Sequence, residues 1–413
     1  MSTNGEIRPR DRSAILRSLQ SGVVPRRGLQ FIQVGRRREV EALRRDLEAL
    51  ADGGSFVRFV IGPYGAGKSY MLELLRSIAL ELGFVTLGAD LTPDRRLYST
   101  RGHGRALYAE LMRNLSTRSH PEGGGLAAVV EMFVAHAIHE SQDQGCSVES
   151  VIDERLAHLS EFVGGYELAD VLKVYWCGHE HEDDFQKRSA LRWLRAEYSA
   201  KTDARAELGV RRIIDDSNFY DSLKLFSQFV RCAGYEGLVV CLDEAVNLFR
   251  LRHSQARQSN YERILAIVND ALQGTSEHLG ILLAGTPEFL TDPERGLYSY
   301  DALKTRLVEN PFAKPGREDL AGTVMRLTSL GRDEFLVLLK RIRHVQAAGD
   351  PEQYLVPDAA LTAFMDDASR RFGADFFCAP RSPIKSFVQF LSLLEQHPGE
   401  SWESVLREKE SRH

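Results

Sequence analysis

At 413 residues, with a formal charge of −5 and 43% hydrophobic residues, the chain has an ordinary globular composition and room for two or three domains with a sizeable core. The acidic balance excludes a protein that grips nucleic acid tightly by overall charge, though not a local basic patch. There is no membrane span and no apolar leader with a cleavage site, and the five cysteines (Cys146, Cys177, Cys232, Cys241 and Cys378) form no C-x-x-C pair, so the expected compartment is the reducing cytoplasm.

Basic residues gather early in the chain, at Arg26, Arg27, Arg36 to Arg38, Arg44 and Arg45, and again at Arg95, Arg96 and Arg101. One reading is a solvated helix face balanced by Glu39, Glu41, Asp46 and Glu48; the other is a surface facing a polyanion. The first 30 residues read as an N-terminal helical segment.

The first strand is "SFVRFV", 55–60, and the following "IGPYGAGKSY" fits G-x-x-x-x-G-K-[ST] from Gly62 to Ser69. Met71, Leu72, Leu75, Ile78, Ala79 and Leu82 then recur at helical spacing. A strand, a glycine-rich loop and a helix in that order are what a phosphate-binding loop requires. Gly62, Gly65 and Gly67 let backbone N–H groups approach phosphate oxygens at a helix N-terminus, whose dipole favours anions. In this Walker A reading Gly62, Pro63, Tyr64, Gly65, Ala66, Gly67, Lys68, Ser69 and Tyr70 line the nucleotide. Lys68 reaches the β- and γ-phosphates, and the Ser69 hydroxyl ligates magnesium.

"GFVTLGADL", 83–91, is the second strand, and residues of about 100–230 read as a largely helical insertion before the third. Within it "CGHEHEDD" places Cys177, His179 and His181 two apart, which reads as a polar loop because no second ligand cluster accompanies it. The third strand, Leu238 to Leu242, is a continuous apolar run, as befits a strand buried on both faces, and it ends in Asp243 and Glu244. This is the Walker B pattern, in which Asp243 holds the metal and Glu244 activates the attacking water. The fourth strand, "LGILLAG" at 279–285, is followed by Thr286, which orients the lytic water or simply caps the next helix. A helix carrying Arg306 precedes the β-rich "GTVMRLTSL", 322–330, which reads as a fifth strand, and beyond 331 the pattern is helical in three segments, the last opened by Arg381 against the helix dipole.

Together "LQSGVVPRRGLQFIQVGRRREVEAL", "GPYGAGKSYML", "GLVVCLDEAVNLF", "LAGTPEFLTDPERGLYSYDALKTRL" and "PRSPIKSFVQFL" resemble the ATP-binding proteins of the BrxC/BrxD type, found in bacterial BREX and related phage-defence loci. More broadly the chain resembles the AAA+ branch of Orc/Cdc6-like replication initiators. The resemblance implies an α/β fold: an AAA+ P-loop NTPase domain over 31–330 with a parallel five-stranded sheet, and a helical lid over 331–413. It implies that Gly35 and Arg36, in "VGRRREVE", lie by the adenine. Thr286 would be the polar residue of the strand between the motifs, Arg306 or Arg295 an arginine finger, and Arg381 a lid arginine directed at the phosphates. ATP and Mg2+ are the implied cofactors. The implied partners are further copies of the chain joined head to tail and other proteins of the defence locus. With no winged-helix domain expected after the lid, contact with DNA should be weak or indirect. The function so implied is an ATP-hydrolysing switch or motor; the alternatives are a nucleotide-gated scaffold with little turnover and a loader of a helicase or methyltransferase.

Overall fold

The computed structural model describes residues 7–314, 317–372 and 380–410. In chain order its elements are α1 (Pro9–Ser21), α2 (Leu29–Ile32), α3 (Arg37–Ala51), β1 (Ser55–Ile61), α4 (Lys68–Glu81), β2 (Val85–Asp90), α5 (His103–Arg113), α6 (Leu126–Gln144), α7 (Val148–Leu156), α8 (Gly165–Glu180), α9 (Asp184–Leu194), α10 (Lys201–Leu208), α11 (Phe219–Cys232), β3 (Leu238–Asp243), α12 (Val246–Phe249), α13 (Ser254–Gln273), β4 (Leu279–Gly285), α14 (Pro287–Thr291), α15 (Asp301–Leu307), β5 (Val324–Arg326), α16 (Arg332–Gln346), α17 (Asp358–Phe372), α18 (Arg381–Gln396) and α19 (Trp402–Glu410). They divide between two compact units, one made of Met1–Val40, Ile61–Leu74 and Arg326–His413, the other of Glu41–Val60 and Leu75–Met325.

The larger unit is built on the sheet, whose strand order is β2-β3-β4-β1-β5. Both β2 with β3 and β3 with β4 pair in parallel, with Val85 opposite Leu238, Asp90 opposite Asp243, and Leu238 opposite Leu279. Every residue of β4 is buried, and so is every residue of β3 before Asp243, which is why both read as unbroken apolar runs rather than alternating ones. The fifth strand is only Val324–Arg326, much shorter than the stretch its β-rich composition marks out.

Between β2 and β3 the chain forms seven helices, α5 to α11. Their shared core includes the edge-to-face pair Phe133 and Phe229, with ring centroids 5.3 Å apart. The expected polar loop at 177–184 is a correction: α8 runs through Cys177 and His179 to Glu180. Gly178 allows the close return of the chain into α9, since a Cβ there would lie 2.8 Å from the Asp183 carbonyl oxygen.

In the smaller unit α1, α16, α17 and α18 enclose one apolar core that includes Ile15, Leu19, Phe335, Leu339, Ile342, Leu361, Phe364, Phe387 and Leu391. Phe364 and Phe387 meet edge to face at 5.1 Å. Arg12 of α1 donates to the Gln346 carbonyl and to Glu395, tying α1 to the ends of α16 and α18. α16 coincides with its sequence-expected range, whereas α19 follows the segment expected to be last.

Candidate nucleotide site

The glycine-rich loop from Gly62 to Ser69, expected to be the phosphate loop, lies in the smaller unit. Gly65 and Gly67 both adopt φ of 87°, a left-handed conformation that L side chains seldom take. Gly62 is needed for room instead, because a Cβ there would sit 2.9 Å from the Leu327 carbonyl oxygen and 3.0 Å from the Ala66 Cβ. The loop closes through Ala66 N–H to the Pro63 carbonyl. Lys68, the first residue of α4, folds back across it and donates from Nζ to the carbonyls of Gly62 and Pro63, both at 2.9 Å. Its ammonium is thereby held over the loop, the position from which a lysine meets phosphate oxygens. Ser69 follows it in the first turn of α4. The Tyr70 hydroxyl donates to the Leu29 carbonyl at 3.2 Å, and burial pushes its pKa far up. That hydroxyl is spent within the unit.

Gly35 and Arg36 take consecutive left-handed conformations, with φ of 63° and 59°. A Cβ at Gly35 would lie 2.6 Å from Glu334 Oε1, so a side chain there would displace that carboxylate as well as meet the left-handed φ. Glu334 itself reaches back to accept from the Gly331 N–H and cap α16. Arg36 sends its guanidinium to three acceptors: the Ala66 carbonyl in the phosphate loop at 3.3 Å, the Thr328 carbonyl, and Glu39 at 3.1 Å. Arg36 therefore braces the phosphate loop from outside, a role the sequence pattern alone did not signal.

Arg381 opens α18 and donates to the Tyr64 hydroxyl at 3.1 Å, with its guanidinium 5.6 Å from the centre of the Tyr64 ring. Tyr64 is 67% exposed. The helix-opening arginine, unfavourable for the helix dipole, has its partner on the phosphate loop, 317 positions away in the chain.

The larger unit holds the acidic pair. β3 carries Asp243 to the carboxyl edge of the sheet, where its carbonyl accepts from the Leu91 N–H and its Oδ1 accepts from the Glu244 N–H at 2.7 Å. Glu244 has φ of 56° and an exposed side chain. A glutamate in the left-handed region is uncommon and costs on the order of 1 kcal/mol. The turn is enforced from both sides, because the next N–H, of Ala245, is bonded to the Ala284 carbonyl.

Thr286 caps α14, its Oγ1 accepting from the Phe289 N–H. The two arginine candidates differ sharply. Arg295 turns inward, donating to the carbonyls of Phe249 and Leu251 and stacking 5.3 Å from the Phe249 ring. Arg306 is exposed at the end of α15, held by Asn269 and the Ala302 carbonyl. Among the described residues no group of three His, Cys, Asp or Glu side chains could hold a metal ion, and no helix is long and apolar enough to cross a membrane.

A strand, a left-handed glycine loop and a lysine-opened helix, set in a parallel sheet with a second strand ending in carboxylates, define an α/β protein consistent with the P-loop ATPases. Residues 7–410 match the family described as BREX system ATP-binding protein BrxC/D, and the chain belongs to that family. No curated protein matches it.

Proposed function

We propose that the chain is a magnesium-dependent AAA+ ATPase, acting as a switch or motor in a BREX-type phage-defence assembly. Family membership supports ATP binding and the defence context. The observation that supports hydrolysis is an exposed carboxylate, Glu244, held in a left-handed turn directly after Asp243 at the carboxyl end of β3. Motif order supports assigning the loop and the acidic pair to one nucleotide. Lys68 and the loop N–H groups bind the phosphates, Glu244 takes the proton of the attacking water, and Arg381 is positioned toward the phosphates by Tyr64. The Ser69 hydroxyl and the Asp243 carboxylate are hard oxygen donors of the kind Mg2+ prefers, and the ion supplies charge neutralisation at the phosphates when bound. Thr286 helps orient the water. Arg306, exposed at the end of α15 and bonded to Asn269 and the Ala302 carbonyl, is the better candidate for a finger offered to a neighbouring copy in a head-to-tail assembly; Arg295 is turned inward. The helical segments after 331 serve as a lid.

Calorimetry and steady-state phosphate release test this together. Lys68→Ala should lose ATP affinity, Glu244→Gln should keep affinity and lose turnover, and a mixture of Glu244→Gln with Arg306→Ala should recover part of the turnover each lacks. Parent-like hydrolysis by Glu244→Gln would refute the catalytic assignment, and ATP binding without phosphate release by the parent would leave a nucleotide-gated scaffold. No recovery in a mixture that co-assembles would refute the finger.

A further inference from the structure

The carboxyl ends of β2 and β3, both in the larger unit, lead into two segments that side-chain amides lock together. Asn247 Nδ2 donates to the Leu91 carbonyl at 2.8 Å. Asn260 of α13, which is 0% exposed, exchanges two hydrogen bonds with the Tyr98 backbone, at 2.9 and 3.2 Å. The stretch between α12 and α13 is then pinned from behind by guanidinium groups. Arg295 donates to the carbonyls of Phe249 and Leu251, and Arg257 to that of Leu251 at 3.1 Å. Two arginines are thus spent making the backbone of 249–251 rigid, and the side chains that this backbone presents outward, Arg250 and Arg252, are arginines too.

Both are exposed, and neither has a carboxylate within ion-pair distance among the described residues. The adjoining segment adds Arg101, also exposed, and Arg96, whose guanidinium faces His103 Nδ1 at 2.7 and 3.0 Å. Tyr98, 37% exposed, stands between them in the chain. Of the acids on these segments, Glu110 pairs with Arg95, Asp216 accepts from the N–H groups of Gly102 and Arg105, Asp292 accepts from those of Glu294 and Arg295, and Asp94 faces His103 at 4.0 Å, while Glu244, Glu262 and Glu294 are exposed. On a chain of net charge −5, Arg250 and Arg252 are exposed cations without an ion pair among the described residues, on a stretch whose carbonyls are held by Arg257 and Arg295.

We propose that Arg250 and Arg252, with Arg101 and Tyr98 of the segment that Asn260 ties to α13, form a ridge that binds the phosphate backbone of nucleic acid. Arginine suits this because its planar fork meets phosphate oxygens in pairs and it is never neutral. The ridge positions rather than reads: nothing in it is arranged to meet base edges, so binding is insensitive to sequence and falls steeply with salt. The ridge begins a few residues beyond Glu244, on the same strand exit, but the inference stands on charge and geometry apart from any hydrolysis.

Fluorescence anisotropy on the full chain with a labelled duplex of about 30 base pairs, over about 50 to 200 mM salt, tests it. Replacing both Arg250 and Arg252 by alanine should lower the slope of log affinity against log salt by roughly 2 and weaken binding at about 50 mM salt on the order of 100-fold, at about 0.9 counterions per phosphate contact. A second double variant, Arg211→Ala with Arg212→Ala, removes the same charge from exposed positions elsewhere in the larger unit and should bind as the parent does. ATP affinity measured alongside reports that each variant is folded. If both double variants lose affinity alike, net charge and not the ridge is responsible, and the proposal fails. It fails equally if Arg250→Ala with Arg252→Ala binds as the parent does, or if the parent binds no duplex at the lowest salt.

Discussion

Arg36 offers a test in which backbone and side chain pull in opposite directions. Its guanidinium holds the carbonyls of Ala66 and Thr328 and the carboxylate of Glu39, the last pair with side chains only 11% and 17% exposed. Hydrogen bonds to a charged group contribute about 1.5 to 3 kcal/mol each, but they are not additive, and water can replace part of what the two carbonyls lose, so Arg36→Ala should cost roughly 3 kcal/mol. Arg36→Gly removes the same contacts yet suits φ of 59°. The left-handed region costs a residue with a Cβ about 1 to 2 kcal/mol, and glycine's extra freedom in the unfolded chain returns about 0.4 to 1 of that, so Arg36→Gly should be the more stable of the two by about 0.5 to 1 kcal/mol. This is the reverse of the order of alanine and glycine within a helix. Urea melts followed by circular dichroism give the order, and calorimetry with ATP gives the functional half. Because the brace reaches the phosphate loop at Ala66, both variants should bind ATP about ten-fold more weakly, equivalent to about 1.4 kcal/mol. An Arg36→Gly protein no more stable than Arg36→Ala would show that the backbone at 36 is not strained, and parent-like ATP binding in both would show that the brace does not shape the loop.

The same reasoning applied to Glu244 gives a trade-off: Glu244→Gly should raise stability by about 0.5 to 1 kcal/mol while abolishing turnover, and a loss of stability in the urea melt would refute stored strain at that turn. For pH, His278 is the informative group. Burial, reinforced by Arg231, lowers its folded pKa below the ordinary value of 6.5, while its Nδ1 lies 3.0 Å from the Leu50 carbonyl. A lowered folded pKa means that the unfolded chain binds the proton more readily, so this contribution is complete above about pH 6.5 and is lost as the pH falls from there toward the folded value. His278→Asn, which also tolerates the left-handed φ of 54° at this position, should flatten the pH dependence of the melting midpoint between about pH 7 and 5.5. An unchanged slope would assign that dependence to other groups.

What the sequence alone determined is what neighbouring residues decide among themselves. The unbroken apolar run of Leu238 to Leu242 read as a buried strand, and Gly62, Gly65 and Gly67 before Lys68 and Ser69 marked a loop whose glycines the structure shows to be needed for room or for left-handed backbone. Alternation and the 3.6-residue period are local signals, so β1, α4, β3, β4 and α16 were legible within a residue or two. The fifth strand was over-long in the sequence reading because β-rich composition does not say where a partner strand ends. The 177–184 segment was read as a loop throughout, whereas its first four residues finish α8 and Asp184 opens α9; those residues are mostly exposed and polar, so no apolar period marked the helix there. Only the tertiary structure could decide which arginines were spent. Arg36, Arg295, Arg306 and Arg381 are indistinguishable as letters, yet one braces the phosphate loop, one pins a backbone turn, one stays exposed, and one rests on Tyr64. The same holds for the left-handed turns at Arg36 and Glu244. A side chain's partner, and a backbone conformation its own residue disfavours, are set by elements hundreds of residues apart, and their cost is met by the packing of the whole unit rather than by anything within a turn of the chain.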